Sequence, residues 1–299
     1  MTQATAHRAE YRITVQAPPE TVFDRVADVR FWPQWFGPVV HADRAARSAD
    51  RDEIQVWELG AGETVTTWRA ARTLDAAALR ITAGAEEWVF GARPDGGTDV
   101  SLHVTGPAAD GPADGPAGRE ARLRDRLAEL KAAAELPDEL TIDFRDPVFA
   151  GGDVRDAWKV LYEADKWPEK LEHVISLDMT ENVPNIQFFD MVTPVKGGGS
   201  VTTRSVRVCL PHELIVYKQI TPPPLMSAHT GHWRFTPTPE GVVLESRHTC
   251  TIRPDRLDVL GPGTTVADAR RFLRRHLSAN STTNLRLAKQ YAEEQAGVS

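Results

Sequence analysis

Two cysteines, Cys209 and Cys250, are too few to staple a chain of 299 residues, so a disulfide framework is excluded and a reducing compartment fits. No apolar run reaches the ~18–20 residues that a bilayer-crossing helix needs. The N-terminal stretch MTQATAHRAEYRITV lacks the apolar core of an export signal, so a cytoplasmic protein is expected. Excess cationic charge is missing as well. Lys and Arg total 35 against 42 Asp and Glu, a formal charge of -7, which disfavours a binder of nucleic-acid backbones. G-x-S-x-G and P-loop sequences are absent, and Gly197–Gly199 reads as a turn before a strand. Nothing calls for a cofactor. Tyrosine is scarce at four residues, whereas tryptophan reaches eight. The remainder is an ordinary globular mixture, 41% hydrophobic and 26% charged, long enough for two domains.

The two halves repeat one another. Trp32-Pro33 recurs as Trp167-Pro168 at an offset of 135, which also carries Val39 onto Val174. Val65-Thr66-Thr67 recurs as Val201-Thr202-Thr203 and Leu74 as Leu210, both at 136. Trp88-x-Phe90 recurs as Trp233-x-Phe235, with Pro94 on Pro239, at 145. Conserved order with a drifting offset points to duplication. Leu136-Pro137-Asp138 marks the boundary, giving domains 1–135 and 136–299.

Each half reads as a strand, two small helices, a run of strands and a closing helix. The opening strands are Tyr11–Gln16 and Thr141–Asp143, and Val22, Val26 and Val29 place a helix behind Pro18-Pro19. Alternation of β-branched residues marks strands at Glu63–Thr73, Ser200–Cys209, Leu214–Ile220 and Val242–Ile252. Gly106–Gly118, rich in Gly, Pro, Ala and Asp, reads as a flexible loop. Leu123, Leu127, Leu130 and Ala134 form the apolar stripe of the first closing helix, and the second runs from about Thr264 to Gln295. The class is α+β, a tandem duplication in which an antiparallel sheet grips a long helix around a cavity.

The halves differ where chemistry would sit. The second has nine more residues around Thr221–His232, a Pro-stiffened segment whose Leu225 and Met226 form the apolar tip of a candidate cap, or a plain surface excursion. Its closing helix has the inward line Leu273, Leu277, Asn280, Asn284, Ala288, Tyr291. Asparagines there suit a polar cavity, because buried amides without partners are costly; a helix break in Ser278–Asn284 is the other reading. His229-x-x-His232 has metal-like spacing, but on a strand the two rings point to opposite faces, so no metal is expected. That parity puts His229 with Trp233, and His248 is a candidate proton carrier or an ordinary strand histidine. Trp68, Ala70 and Arg72 share one face in the first half, and Arg204, Val206 and Val208 do in the second. An inward arginine would hold an enolate or carbonyl oxygen, whereas a surface one would pair with a carboxylate.

Three stretches carry a resemblance. They are Ala27-Asp28-Val29-Arg30-Phe31-Trp32-Pro33 with Ala164-Asp165-Lys166-Trp167-Pro168-Glu169, then Val201-Thr-Thr-Arg204-Ser-Val-Arg207-Val, then Tyr217-Lys218-Gln219 with His229-Thr-Gly-His232-Trp233. Over essentially its whole length the chain resembles the di-domain aromatase/cyclases of bacterial type II polyketide synthases, in the START-like helix-grip superfamily. The resemblance implies an enzyme that takes a poly-β-ketone on the phosphopantetheine of an acyl carrier protein. It implies first-ring aldol closure of the carbon-7 to carbon-12 type, dehydration and aromatisation, in aromatic antibiotic biosynthesis. The minimal polyketide synthase is then a partner, with a ketoreductase a further candidate. The relatives' pocket arginine matches Arg72, and the second half has Val208 there. Their pocket tryptophan matches Trp88 and Trp233, their proton-transferring residue His248, and the polar residue of their closing helix Asn284. The family's tyrosine after Trp-Pro is replaced by Val39 and Val174.

The catalytic candidates are therefore Arg72, Arg204, His248 and Asn284, with Trp68, Trp88, Tyr217, His229, Trp233 and Asn280 as substrate contacts. The second half carries the fuller proton-transfer set, whereas Arg72 in the first half is the better positional match to the relatives' arginine, so either pocket is a candidate for the chemistry. Carrier proteins are generally acidic, so an acidic chain must hold a local basic patch, which the sequence does not locate. The alternative, a non-catalytic carrier of an apolar small molecule or lipid, would want an apolar pocket instead.

Overall fold

The computed structural model describes residues 8–105, 115–195 and 198–297. The chain divides into two compact units, Met1–Leu136 and Pro137–Ser299. In the first, β1 (Arg8–Val15) leads to α1 (Pro19–Ala27), a 3₁₀ turn and α2 (Trp32–Trp35). Then come β2 (Val39–Arg47), β3 (Arg51–Leu59), β4 (Val65–Asp75), β5 (Arg80–Ala83), β6 (Glu86–Ala92), β7 (Thr98–Thr105) and the closing α3 (Gly115–Glu135). The second unit repeats the order as β8 (Thr141–Ala150), α4 (Val154–Tyr162), a 3₁₀ turn and α5 (Trp167–Lys170). There follow β9 (Ser176–Val183), β10 (Ile186–Pro194), β11 (Ser200–Leu210), β12 (Leu214–Thr221), β13 (Met226–Thr238), β14 (Gly241–Ile252) and α6 (Val266–Ala296). Each sheet has seven strands, ordered β1-β7-β6-β5-β4-β3-β2 and β8-β14-β13-β12-β11-β10-β9, with antiparallel neighbours throughout. The fold is thus two α+β helix-grip copies, as the repeat implied.

Local chemistry explains the elements. Pro19 starts α1 at a position where its missing N–H costs nothing, and Val22, Phe23 and Val26 turn inward. Leu123, Leu127, Leu130 and Ala134 bury the inner face of α3. Of the expected loop Gly106–Gly118, residues 106–114 lie outside the described residues, and 115–118 are already the first turn of α3. Thr265 and Asp268 form a capping box at the start of α6, which runs unbroken through Ser278–Asn284. Its buried line is Leu273, Leu277, Ser281, Asn284, Leu285, Ala288 and Ala292. Asn280, expected on that line, is only half-buried, because the line advances by four at Leu277 and lands on Ser281.

Both closing helices are latched alike. Glu135 accepts from the Gln16 N–H at 2.6 Å and Glu293 from the Gly151 N–H at 2.9 Å. Lys131 and Lys289, one turn earlier, pair with these glutamates. The extra residues of the second half mostly lengthen strands: β12 and β13 have 8 and 13 residues where β5 and β6 have 4 and 7. Leu225 and Met226, expected at an exposed apolar tip, are both 4% exposed and belong to the core.

Candidate active site

Strand register locates the counterpart of Arg72. Arg72 stands opposite Asp52, and Arg207 stands opposite Gln187. Both guanidinium groups reach the end of the unit's first helix: Arg72 donates to the Val26 and Ala27 carbonyls at 2.9 Å. Arg207 donates to the Leu161 carbonyl at 2.8 Å and the Tyr162 carbonyl at 3.3 Å. Each also lies over the tryptophan of its Trp-Pro pair, at 5.6 Å for Trp32 and 5.4 Å for Trp167. The equivalent of Arg72 is therefore Arg207 and not Val208, and Arg204 is not an inward cation. Arg204 is half-exposed and paired with Asp190 at 2.6 Å. The Val-Thr-Thr match places the strand one residue out of step, and one step moves every side chain to the other face.

The two arginines are committed differently. Arg72 is fully engaged: its Nε and Nη2 lie 2.8 and 2.7 Å from the Asp52 carboxylate, both side chains are almost wholly buried, and Arg44 approaches Asp52 at 3.2 Å. In the second unit the carboxylate is replaced by Gln187, which turns its amide to Glu181 at 2.8 Å. The Nε and Nη1 of Arg207 are buried without a hydrogen-bond partner among the described residues. Trp167, Trp233 and Phe189 surround the guanidinium at 5.4, 5.7 and 5.9 Å. A buried cation with two unused donors is a ready site for an oxyanion.

The next positions across the sheet sharpen the contrast. In the first unit the row from Arg72 continues through Ala83, Glu86, Val104 and Ala9. In the second unit the row from Arg207 continues through Tyr217, Gly231, His248 and Phe144. One step along, Leu74, Ile81, Trp88 and Leu102 in the first copy correspond to Cys209, Ile215, Trp233 and Ser246 in the second. The tryptophans correspond, but Val104 and Leu102 stand where the second unit has His248 and Ser246. Trp68 packs on the apolar core of the first unit, and Arg126, paired with Glu86, covers Trp88 at 4.9 Å.

In the second unit the polar groups form one network. Tyr217 Oη lies 2.7 Å from His248 Nδ1, and His229 Nε2 lies 3.0 Å from the same nitrogen. His229 Nδ1 is 2.7 Å from Gln219 Oε1, and Ser246 Oγ is 3.3 Å from His248 Nε2. With Gln219 presenting its oxygen, His229 carries its proton on Nδ1 and accepts on Nε2. His248 then donates from Nδ1 and leaves Nε2 unprotonated, beside the Ser246 hydroxyl, as the base. Phe144 lies against the other side of that imidazole, ring centres 5.1 Å apart. Trp233 touches Tyr217 at 5.0 Å and thereby joins Arg207 to the network. Asn284 faces inward from α6, 5% exposed, with its Oδ1 buried and unpartnered. As the strand parity required, His229 and Trp233 share a face, while His232 turns away toward Glu245 at 3.6 Å.

Gly231, like Arg207, is a candidate position that sequence reasoning missed. It lies between Tyr217 and His248, and a Cβ there would fall 2.1 Å from the Arg247 carbonyl oxygen and 2.3 Å from Tyr217 Oη. Only a bare strand residue lets the phenol and the imidazole meet across it, and a glycine inside an otherwise regular strand was the available signal. Gly231→Ala is expected to lower product formation at least tenfold in a folded protein. Wild-type turnover by that variant would detach the network from the chemistry.

Burial sets the protonation. His229 is pushed down to about 4, and His248 well below the usual histidine range by burial, then by His229, Arg274 and His232. Burial drives the Tyr217 phenol well above 10, so it stays protonated. Both imidazoles are neutral at pH 7, and an imidazolium formed at His248 is a strong acid. Because His229 titrates near 6.5 when unfolded and near 4 when folded, its stabilising contribution is whole above pH 6.5. That contribution, about 3 kcal/mol, is lost as the pH falls toward 4. Thermal melts should therefore decline over this window, and His229→Gln should flatten the decline.

Comparisons with known proteins agree with this architecture. A family described as polyketide cyclase / dehydrase and lipid transport matches residues 6–135. The granaticin polyketide synthase bifunctional cyclase/dehydratase of Streptomyces violaceoruber is 36% identical over 97% of this chain and 95% of its own. The actinorhodin polyketide synthase bifunctional cyclase/dehydratase of Streptomyces coelicolor is 36% identical over 96% of this chain and 98% of its own. The crystal structure of the di-domain ARO/CYC StfQ from the steffimycin pathway superimposes with a TM-score of 0.88 at 49% identity, covering 97% of this chain and 100% of that one. The di-domain ARO/CYC BexL from the BE-7585A pathway gives 0.84 at 37%, covering 96% and 99%.

Proposed function

We propose, for a chain that belongs to the bifunctional cyclase/dehydratases of aromatic polyketide synthesis, that its second unit holds the reacting pocket and its first unit serves as structural support. The observation that carries this reading is the unequal fate of one arginine. Arg72 is neutralised by Asp52, whereas Arg207 keeps two buried donors and is joined through the Trp233 ring to the Tyr217–His248–His229 network. Each side of the division 1–135 and 136–299 is one helix-grip copy, a reading that the repeated strand order supports.

The proposed chemistry needs little beyond these groups. His248 Nε2 takes a proton from the carbon between two carbonyls, and Arg207 holds the enolate oxygen. That carbon attacks a ketone carbon of the same chain, a carbon–carbon bond forms, and the new alkoxide takes the proton back from His248. A second proton abstraction, with loss of the hydroxyl protonated by the imidazolium, releases water. His229 supports each imidazolium by accepting its Nδ1–H. Low basicity makes His248 a weak base toward an already acidic β-dicarbonyl, but a strong acid toward a departing hydroxyl. Tyr217 and Asn284 supply the remaining hydrogen bonds, and Trp233 a flat wall. Holding a flexible polyketone so that one pair of carbons meets is the larger task.

The specific reading is a carbon-7 to carbon-12 closure on a chain carried by an acyl carrier protein. The minimal synthase is the source, and a ketoreductase is a further candidate partner. Unpaired, buried Cys209 and Cys250 suit a cytoplasmic setting, and no described helix is long and apolar enough to cross a membrane. Reconstitution with a minimal polyketide synthase tests the reading. Adding the protein should shift shunt products to one first-ring regioisomer, and an unchanged spectrum, with or without a ketoreductase, would overturn it.

A further inference from the structure

The edge of the second unit carries a surface that the chemistry above leaves unused. Between β8 and α6 runs a groove of about 1000 Å³ whose helix wall carries Arg270, Arg271, Arg274, Arg275 and Arg286. Such a cluster stands out in a chain of net charge -7. Three of the five are committed. Arg270 donates to the Glu139 and Thr141 carbonyls at 2.6 Å, Arg271 pairs with Asp268 at 2.5 Å, and Arg274 pairs with Asp146 at 2.9 Å. The carboxylate in the wall, Asp143, is held by Arg247 at 2.8 Å. Arg275 and Arg286 are exposed and make no ion pair among the described residues. Eleven residues apart, they lie on one side of the helix at a separation of about 16 Å, wide enough to meet a protein surface.

Phe144 links this groove to the active site. Its ring lies 4.1 Å from the Arg274 guanidinium carbon on the groove side and 5.1 Å from the His248 ring on the other. A single aromatic side chain thus separates the arginines from the catalytic imidazole. We propose that the groove docks the acyl carrier protein, whose acidic flank and phosphodiester meet Arg275 and Arg286 while the pantetheine arm passes Phe144 toward His248. This rests on the reading that the substrate arrives carrier-bound. One phosphodiester on an acidic protein fits a short cationic stripe, whereas an extended polyanion would meet the chain's net negative charge on either side.

Direct binding tests it without turnover. Fluorescence anisotropy of a labelled holo-acyl carrier protein should show binding that weakens as salt rises. The double variant Arg275→Glu, Arg286→Glu, confirmed folded by circular dichroism, should bind at least tenfold more weakly, and the apo carrier should bind the wild type less tightly than the holo form. Undiminished binding by the charge-reversed protein, no binding by the wild type, or equal affinity for anionic phospholipid vesicles would each overturn the proposal. Failure of the ring-forming reading would show separately, in the product spectrum of the wild-type protein.

Discussion

Replacing His248 with alanine is expected to lower first-ring product formation by about 10²–10⁴-fold, the usual share of a general acid–base group. Both proton steps run through Nε2 of this ring, so no other group in the network replaces it. His229 lies behind it and is occupied by Gln219 at 2.7 Å, and Tyr217 stays protonated because burial drives its phenol well above 10. The variant should remain folded, since removing a neutral imidazole strands no charge, although Tyr217 Oη, His229 Nε2 and Ser246 Oγ each lose a partner; Tyr217 retains the Arg247 carbonyl at 3.4 Å and His229 retains Gln219. Single-turnover product analysis on protein of wild-type circular dichroism is the measurement. Full turnover would remove His248 from the mechanism.

The first unit should respond in the opposite way. Asp52→Ala removes the carboxylate that holds Arg72 and, at 3.2 Å, Arg44, and leaves the nearly fully buried Arg72 guanidinium without a counter-charge. Breaking a buried pair from one side costs about 3–5 kcal/mol. For a unit of this size the corresponding melting transition should fall by roughly 10 °C or more. At temperatures where the variant is still folded, ring formation should persist. Differential scanning calorimetry checks the first expectation, and the product assay at low temperature the second. A stable Asp52→Ala protein that no longer forms the ring would place chemistry in the first unit instead.

Much of this was legible in the residues. The Trp-Pro repeat at an offset of 135 located both copies, and its physical reason is now visible: Trp32 and Trp167 each lie beneath the arginine that caps the first helix. Strand parity placed His229 with Trp233 and sent His232 away. The failures came from single steps. A fortuitous Val-Thr-Thr match sets the second copy one residue out of step, which puts Arg204 on the face that Arg207 occupies. A similar step along α6 chose Asn280 over Ser281. Neither choice is fixed by composition or periodicity. Both are fixed by ladder hydrogen bonds and helix rotation, which depend on distant partners. Gly231 escaped notice because its importance is the absence of a side chain between two that must touch.

The central claim is that Arg207, and not its repeat Arg72, stabilises the reacting oxygen. The most direct measurement is the product distribution of a minimal polyketide synthase supplied with folded Arg207→Met protein. The expected result is the shunt mixture obtained with no cyclase at all. A wild-type distribution of ring-closed product from that variant would contradict the account.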